Sequence, residues 1–155
     1  MTTEAHTLDE IVEMIPHREP FRFIDKITYI DDDSVEGNYF LHAGHAFYEG
    51  HFPGHPLTPG VILIEVMAQI GLVAFGLYLL NKTEPLHQLI GTGLPVLTSV
   101  DIKFSKKVLP GEQVFVRAEK TLFRHGRLIC KVKLKNSQGG TAAEGSISGF
   151  IAAKN

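Results

Sequence analysis

From Val61 to Leu80 the chain runs through aliphatic and aromatic residues in which Glu65 and Gln69 are the only charged or amide side chains. The run is far too long for a buried strand, and the breakers Pro59-Gly60 stand just before it, so the pattern predicts a long helix over roughly 61–80. A helix that is apolar all round must be buried, either in lipid or in protein. The run is about long enough to cross a hydrocarbon core. Glu65 and Gln69 argue against that, and the flanks lack the clustered Lys/Arg and Trp/Tyr anchors of a span. The expectation is therefore a core helix and no membrane.

The remaining sequence supplies what could wrap such a helix. Thr7 and Glu10 form a Thr-x-x-Glu capping box before Ile11, Val12 and Met14, which predicts a short amphipathic helix over roughly 8–14, ended by Ile15-Pro16. "RFIDKITYI" and "SVEGNYFL" read as two strands joined by the acidic turn "DDDS", which predicts a hairpin by their flanking turn chemistry. Between Gly44 and Gly60, Gly and Pro are too dense for regular structure. The polar segment "NKTEPLHQ" releases the chain from the long helix. From about Val96 onward, alternating runs are separated by Pro110-Gly111, Arg124-His125-Gly126 and Gln138-Gly139-Gly140. Strict alternation from Cys130 to Lys135 buries one face and wets the other. This predicts an α+β chain in which an antiparallel meander curls around one helix. One sheet cannot cover every side of that helix, so a homodimer is expected to complete the cover.

Size and charge narrow the partners. At 155 residues the chain is read as one domain, 1–155. A formal net charge of −2 offers no broad basic surface, so nucleic acid is not an expected partner. Lys103, Lys106 and Lys107 remain as a local basic cluster able to dock an acidic partner. The single cysteine, Cys130, cannot form an internal disulfide and falls at an inward position of its strand. With an N-terminus too acidic for a secretory signal, the expected setting is cytoplasmic.

The chemistry gathers around "EGHFPGHPLTPGVILIEVMAQIG". His42, His45, His51 and His55 invite a zinc reading, but Pro53 and Pro56 prevent an i, i+4 histidine pair on a helix, so no metal is expected. His42, His45 and His55 are assigned to the surface. His51 lies in a loop shaped by Gly50 and Pro53. Glu65 in apolar surroundings must be paired, hydrogen-bonded or held protonated. Gln69, one helical turn on, can orient its carboxyl. An imidazole together with a carboxyl of raised pKa makes a base and an acid, suited to removing a proton from carbon and delivering one to a leaving oxygen. Gly60 at the helix start offers a free N–H for a substrate carbonyl. The plainer alternatives are a loop histidine bonded to backbone, a Glu65–Gln69 pair satisfying itself, and a Pro-Gly turn.

Taken together, "FYEGHFPGHPLTPGVILIEVMAQ" resembles the signature of FabZ-type β-hydroxyacyl-acyl-carrier-protein dehydratases of the hotdog-fold superfamily, including the spacing between His51 and Glu65. "IPHREPFRFIDKI" and "VDIKFSKKVLPGEQV" extend the resemblance over nearly the whole chain. The resemblance implies a helix wrapped by a curved antiparallel sheet, dimers or trimers of dimers, and active sites shared between subunits. It implies dehydration of a (3R)-3-hydroxyacyl chain on acyl carrier protein to the trans-2-enoyl thioester, with no cofactor. His51 would take the C2 proton, Glu65 would protonate the 3-hydroxyl, and Gly60 would hold the thioester oxygen. Gly44-His45 and Ser105-Lys106 depart from the family pattern, which keeps a polyene or polyketide route open beside fatty acid synthesis. Aspartate stands at the Glu65 position in the related dehydratase-isomerases, which speaks against isomerase activity. The alternatives are a hotdog thioesterase and a non-catalytic acyl-binding or assembly partner.

Overall fold

The computed structural model describes residues 2–82 and 93–153. Helix α1 (Thr2–Met14) is longer than the capping box predicts, with Thr7 inside it. A Thr-x-x-Glu pattern marks a helix start only where the preceding residues cannot continue the helix, and Glu4-Ala5 can. Ile11, Val12 and Ile15 from this end of the chain are buried in the core.

Strands β1 (Lys26–Ile30) and β2 (Ser34–Phe40) form the expected hairpin. Asp31 sets its turn, one carboxylate oxygen accepting the amides of Asp33 and Ser34 at 2.8 Å each. The Gly/Pro-rich loop is less irregular than its composition suggests, because Phe47–Gly50 winds into one short helix, α2. Tyr48 is buried there and anchors that turn against the protein. Helix α3 follows over Gly60–Asn81, with a widened π turn at Gln69–Ala74. The polar segment beyond Lys82 lies outside the described residues.

Four further strands complete the sheet: β3 (Gly93–Phe104), β4 (Gln113–Arg124), β5 (Arg127–Lys135) and β6 (Thr141–Ala153). All neighbours are antiparallel, in the order β1-β2-β4-β5-β6-β3. The predicted meander therefore holds for β4-β5-β6 and fails for β3, which pairs with β6 at the far edge while β2 pairs with β4. The cause is α3: a helix of 22 residues, roughly 33 Å long, carries the chain across the sheet before β3 begins.

The sheet curls around α3, and two thirds of the helix's most apolar window is buried. It is the core helix of the fold. Contact is close at Gly71, where an added Cβ would stand 3.1 Å from the Ala118 Cβ and 3.5 Å from Ile147. Alternation along β5 delivers Leu128, Cys130, Val132 and Leu134 to that interior and leaves Lys131, Lys133 and Lys135 outside. The Cys130 thiol reaches the Gly71 carbonyl at 3.5 Å, and burial pushes its pKa up to about 12, so it behaves as a core side chain. On the outer face, the register aligns Glu36, Arg117, Lys133, Glu144 and Lys103 across five strands. Arg117 pairs with Glu36 at 2.9 Å, an exposed contact of small energetic weight.

Candidate active site

The loop that carries His51 is pinned at both ends by its own sequence. The Tyr48 hydroxyl meets the Thr58 hydroxyl at 2.7 Å, with both side chains buried. Inside this clamp the His51 amide donates to Phe47 O, and the Leu57 amide donates to His51 O. The imidazole itself is held: His51 Nδ1 lies 2.9 Å from Leu57 O. A carbonyl oxygen only accepts, so Nδ1 carries the hydrogen in this contact and Nε2 of the neutral ring keeps its lone pair. The loop thus leaves Nε2 as the ring nitrogen not engaged by Leu57.

Gly60 opens α3 directly after this loop. The amides of Ile62 and Leu63 turn back to Pro59 O, while those of Gly60 and Val61 have no protein partner among the described residues. The ring of Phe104, at the end of β3, covers Gly60, and a Cβ there would stand 3.1 Å from Phe104 Cζ. Phe104 is thus a neighbour of the helix start that the sequence alone did not indicate.

Glu65 is half-buried and lines a narrow cavity between α3 and the sheet. Ala68, Leu72 and Gly76 continue the helix side of that cavity, with Val96, Leu97 and Phe150 opposite. Burial raises the Glu65 pKa, and the Gln69 amide pulls it back down by hydrogen bonding. The Gln69 amide is chiefly committed elsewhere: its Oε1 accepts the Phe23 amide at 2.7 Å, and its Nε2 donates to Phe21 O at 3.0 Å. Expected only as a partner of Glu65, this residue also fastens the segment after α1 to the middle of α3.

Among the described residues of one chain, no hydrogen bond and no shared cavity wall joins His51 to Glu65. His51 is absent from the wall of the Glu65 cavity, whereas His17 is part of it. His17 sits between the end of α1 and β1, a long way from Glu65 in sequence, so no periodic signal could have associated the two. Among the other histidines, His42 and His55 are exposed, but the surface assignment of His45 is corrected. Its ring stacks on Phe47 at 4.8 Å between centroids, and Nε2 meets the Tyr39 hydroxyl at 2.8 Å, because the loop folds back onto β2. Burial and the neighbouring His42 lower its pKa.

The candidate docking lysines divide. Lys103 belongs to the charged row on the outer face of the sheet. Lys106 and Lys107 are exposed on the β3–β4 connection, with the Lys106 side chain beside Gly140. That connection touches the His51 loop, since the Thr58 amide donates to Val108 O at 2.9 Å.

Residues 15–145 match the model of the FabA-like domain family. A 3-hydroxyacyl-[acyl-carrier-protein] dehydratase FabZ from Clostridium perfringens (strain SM101 / Type A) is 33% identical over 146 residues, covering 94% of this chain and 91% of that protein. A FabZ dehydratase from Cronobacter sakazakii is 37% identical over 131 residues, covering 78% and 80%. In fold, the chain is similar to a protein of the dehydratase heterocomplex ApeI:P from Xenorhabdus doucetiae, with a TM-score of 0.74 at 14% identity, covering 93% and 91%. A putative thioesterase from Syntrophus aciditrophicus gives a TM-score of 0.70 at 15% identity, covering 98% and 100%. At such identities the last two likenesses speak for the hotdog fold alone.

Proposed function

We infer the reaction from the premise that this chain belongs to the FabA-like family, among its FabZ-type hotdog dehydratases. It is a hydro-lyase that eliminates water from a 3-hydroxyacyl chain carried on acyl carrier protein. The observation that carries the mechanism is the placement of Glu65, a half-buried carboxyl in the wall of a largely apolar cavity, where burial raises its pKa. A thioesterase needs a carboxylate that attacks, or activates water, in its ionised form. Elimination needs a carboxylic acid that donates, which is the form burial favours.

This reading gives each group a role. Nε2 of His51 takes the proton from C2 of the (3R)-3-hydroxyacyl thioester. Charge passing to the thioester oxygen is met by the free Gly60 N–H at the start of α3. As the C2–C3 double bond of the trans-2-enoyl product forms, the C3–O bond breaks and Glu65 of the partner subunit protonates the departing hydroxyl to water. Proton return from His51 to Glu65 through solvent resets the site. The acyl chain runs along the cavity from Glu65 toward Gly76. These steps call for no metal and no redox cofactor, since elimination of water leaves the oxidation level unchanged.

A homodimer supplies the second half of such a site. Two features support it: His51 stands outside the cavity of its own chain's Glu65, and the edge strand β3 exposes Leu94, Val96, Leu97, Val100 and Phe104. A long apolar edge strand is unfavourable in water and suited to pairing with another copy. Three such dimers could share a hexamer. The carrier protein docks at Lys106 and Lys107, which flank the connection bonded to the His51 loop. A buried, unpaired thiol and a carrier-bound substrate fit a cytoplasmic enzyme.

The test is incubation with 3-hydroxyacyl and plain acyl carrier-protein thioesters, with products read by mass spectrometry. Formation of enoyl product from the first, and no loss of thioester from the second, is the expected result. Release of free thiol without enoyl product would assign the chain to hydrolysis, and binding without turnover of either substrate would assign it to acyl carriage.

A further inference from the structure

The cavity that holds Glu65 contains a second polar side chain for which the mechanism above has no use. Of the residues that line it, His17 and Glu65 alone carry ionisable groups, the rest being aliphatic, aromatic, proline or glycine. Nδ1 of His17 is closed off from solvent and has no hydrogen-bond partner, the only such buried side-chain nitrogen or oxygen among the described residues. Buried polar atoms are nearly always satisfied, so an orphan of this kind points to a partner that arrives with a ligand.

The ring is not adrift. The Arg18 guanidinium donates to Ile15 O at 2.6 Å and to His17 O at 2.8 Å, fixing the backbone on both sides of the imidazole. Ile15 is fully buried and anchors the turn to the core. Burial and the adjacent Arg18 charge both lower the His17 pKa. A neutral ring keeps a lone pair and one N–H, and so can either accept or donate.

We propose that His17 is a substrate-contacting residue whose Nδ1 binds the 3-hydroxyl group of the acyl chain, in the cavity it shares with Glu65. The inference rests on the dehydratase reading for its ligand: an acyl chain entering an apolar cavity brings one polar group near its head besides the thioester, and that group is the hydroxyl at C3. Because Nδ1 is closed off in the unliganded protein, binding turns the imidazole about its Cβ–Cγ bond toward the cavity that His17 lines, and the hydroxyl then donates its own hydrogen to Nδ1 while its oxygen faces the Glu65 carboxyl. His17 moves no proton. It orients the C3–O bond so that the proton from Glu65 reaches the oxygen lone pair.

The experiment measures binding of two pantetheine thioesters, a (3R)-2,2-difluoro-3-hydroxyacyl chain and the 2,2-difluoroacyl chain of the same length. With no hydrogen at C2, neither can be dehydrated, so the comparison does not depend on turnover. The wild-type protein should favour the hydroxylated probe by about five- to tenfold, the scale of one net hydrogen bond. His17→Phe should lose that preference and bind the plain probe within about twofold of wild type, whereas His17→Asn, whose amide can stand where Nδ1 stands, should keep part of it. Undiminished preference in a folded His17→Phe protein would overturn the proposal, as would equal weakening of both probes, which would make His17 a wall or subunit contact only. Failure of ordinary 3-hydroxyacyl thioesters to yield enoyl product would instead remove the dehydratase reading, while the preference between these two probes still decides the role of His17.

Discussion

Gln69 accepts the Phe23 amide at 2.7 Å, tying the segment after α1 to the core helix across 46 residues of sequence. The same amide group donates to Phe21 O and lowers the pKa of Glu65. One fully buried side chain thus serves the fold and tunes the candidate acid together. Replacing it with Leu leaves the Phe23 N–H and the Phe21 C=O to be satisfied in the interior. Gln69→Leu should destabilise the protein by about 2–4 kcal/mol in urea unfolding, the scale of two buried backbone groups left unpaired. It should also move the alkaline limb of the rate profile to higher pH, because a contribution holding the Glu65 pKa down is gone.

Glu65 itself has a stability signature opposite to that of a salt-bridged carboxylate. Its folded pKa is raised, so the folded state binds more protons than the unfolded state between the ordinary value of 4.5 and the raised one. Its contribution to stability is therefore fully present below pH 4.5 and is lost as the pH rises through the folded pKa. Glu65→Gln should raise Tm at pH 8 relative to wild type, and the gain should shrink toward pH 4. The same variant should lose at least about a hundredfold in turnover, as should His51→Ala. Wild-type turnover should fall on the alkaline side as Glu65 loses its proton.

A site shared between subunits has a test that no single-chain site can pass. His51→Ala and Glu65→Gln chains, each inactive, should recover part of the wild-type rate when unfolded together and reassembled, since a mixed dimer contains one site with both groups intact. Proven heterodimers with no recovered rate would place both residues in one chain.

Carrier-protein docking at the β3–β4 connection predicts a split between substrates. Lys106→Glu with Lys107→Glu should raise KM for carrier-bound substrate and weaken its dependence on salt, while small pantetheine thioesters react as before. Equal losses on both substrates would indicate damage to the His51 loop through Val108. No loss on either would shift the search to Arg124 and Arg127.

Gly76 lines the cavity eleven residues beyond Glu65, and an added Cβ there would meet nothing closer than Leu128 at 4.0 Å. The distance along the helix is about 16 Å at 1.5 Å per residue. Gly76→Phe should therefore fill the far end and shift the accepted 3-hydroxyacyl chains to shorter lengths, with little change in kcat on the shortest. A panel of chain lengths analysed by mass spectrometry measures the shift.

Much of this protein is legible in local pattern. The apolar run from Val61 declares the core helix, alternation from Cys130 to Lys135 declares which strand face is buried, and "DDDS" and Pro110-Gly111 declare turns, because each signal depends on residues within a few positions of one another. Glu65 stood out for a related reason, an ionisable group where its neighbours exclude water. Strand order was not legible: nothing within β3 tells it to pair with β6 and leave β2 to β4, since those pairings depend on where a helix of 22 residues delivers the chain. Nor were the contacts that build the site. Gln69 reaches Phe21 and Phe23, Phe104 covers Gly60, Thr58 is bonded to Val108, and His17 shares the Glu65 cavity. Side chains far apart in sequence meet only once the sheet has curled around the helix, and such meetings leave no period in the sequence from which they could be read.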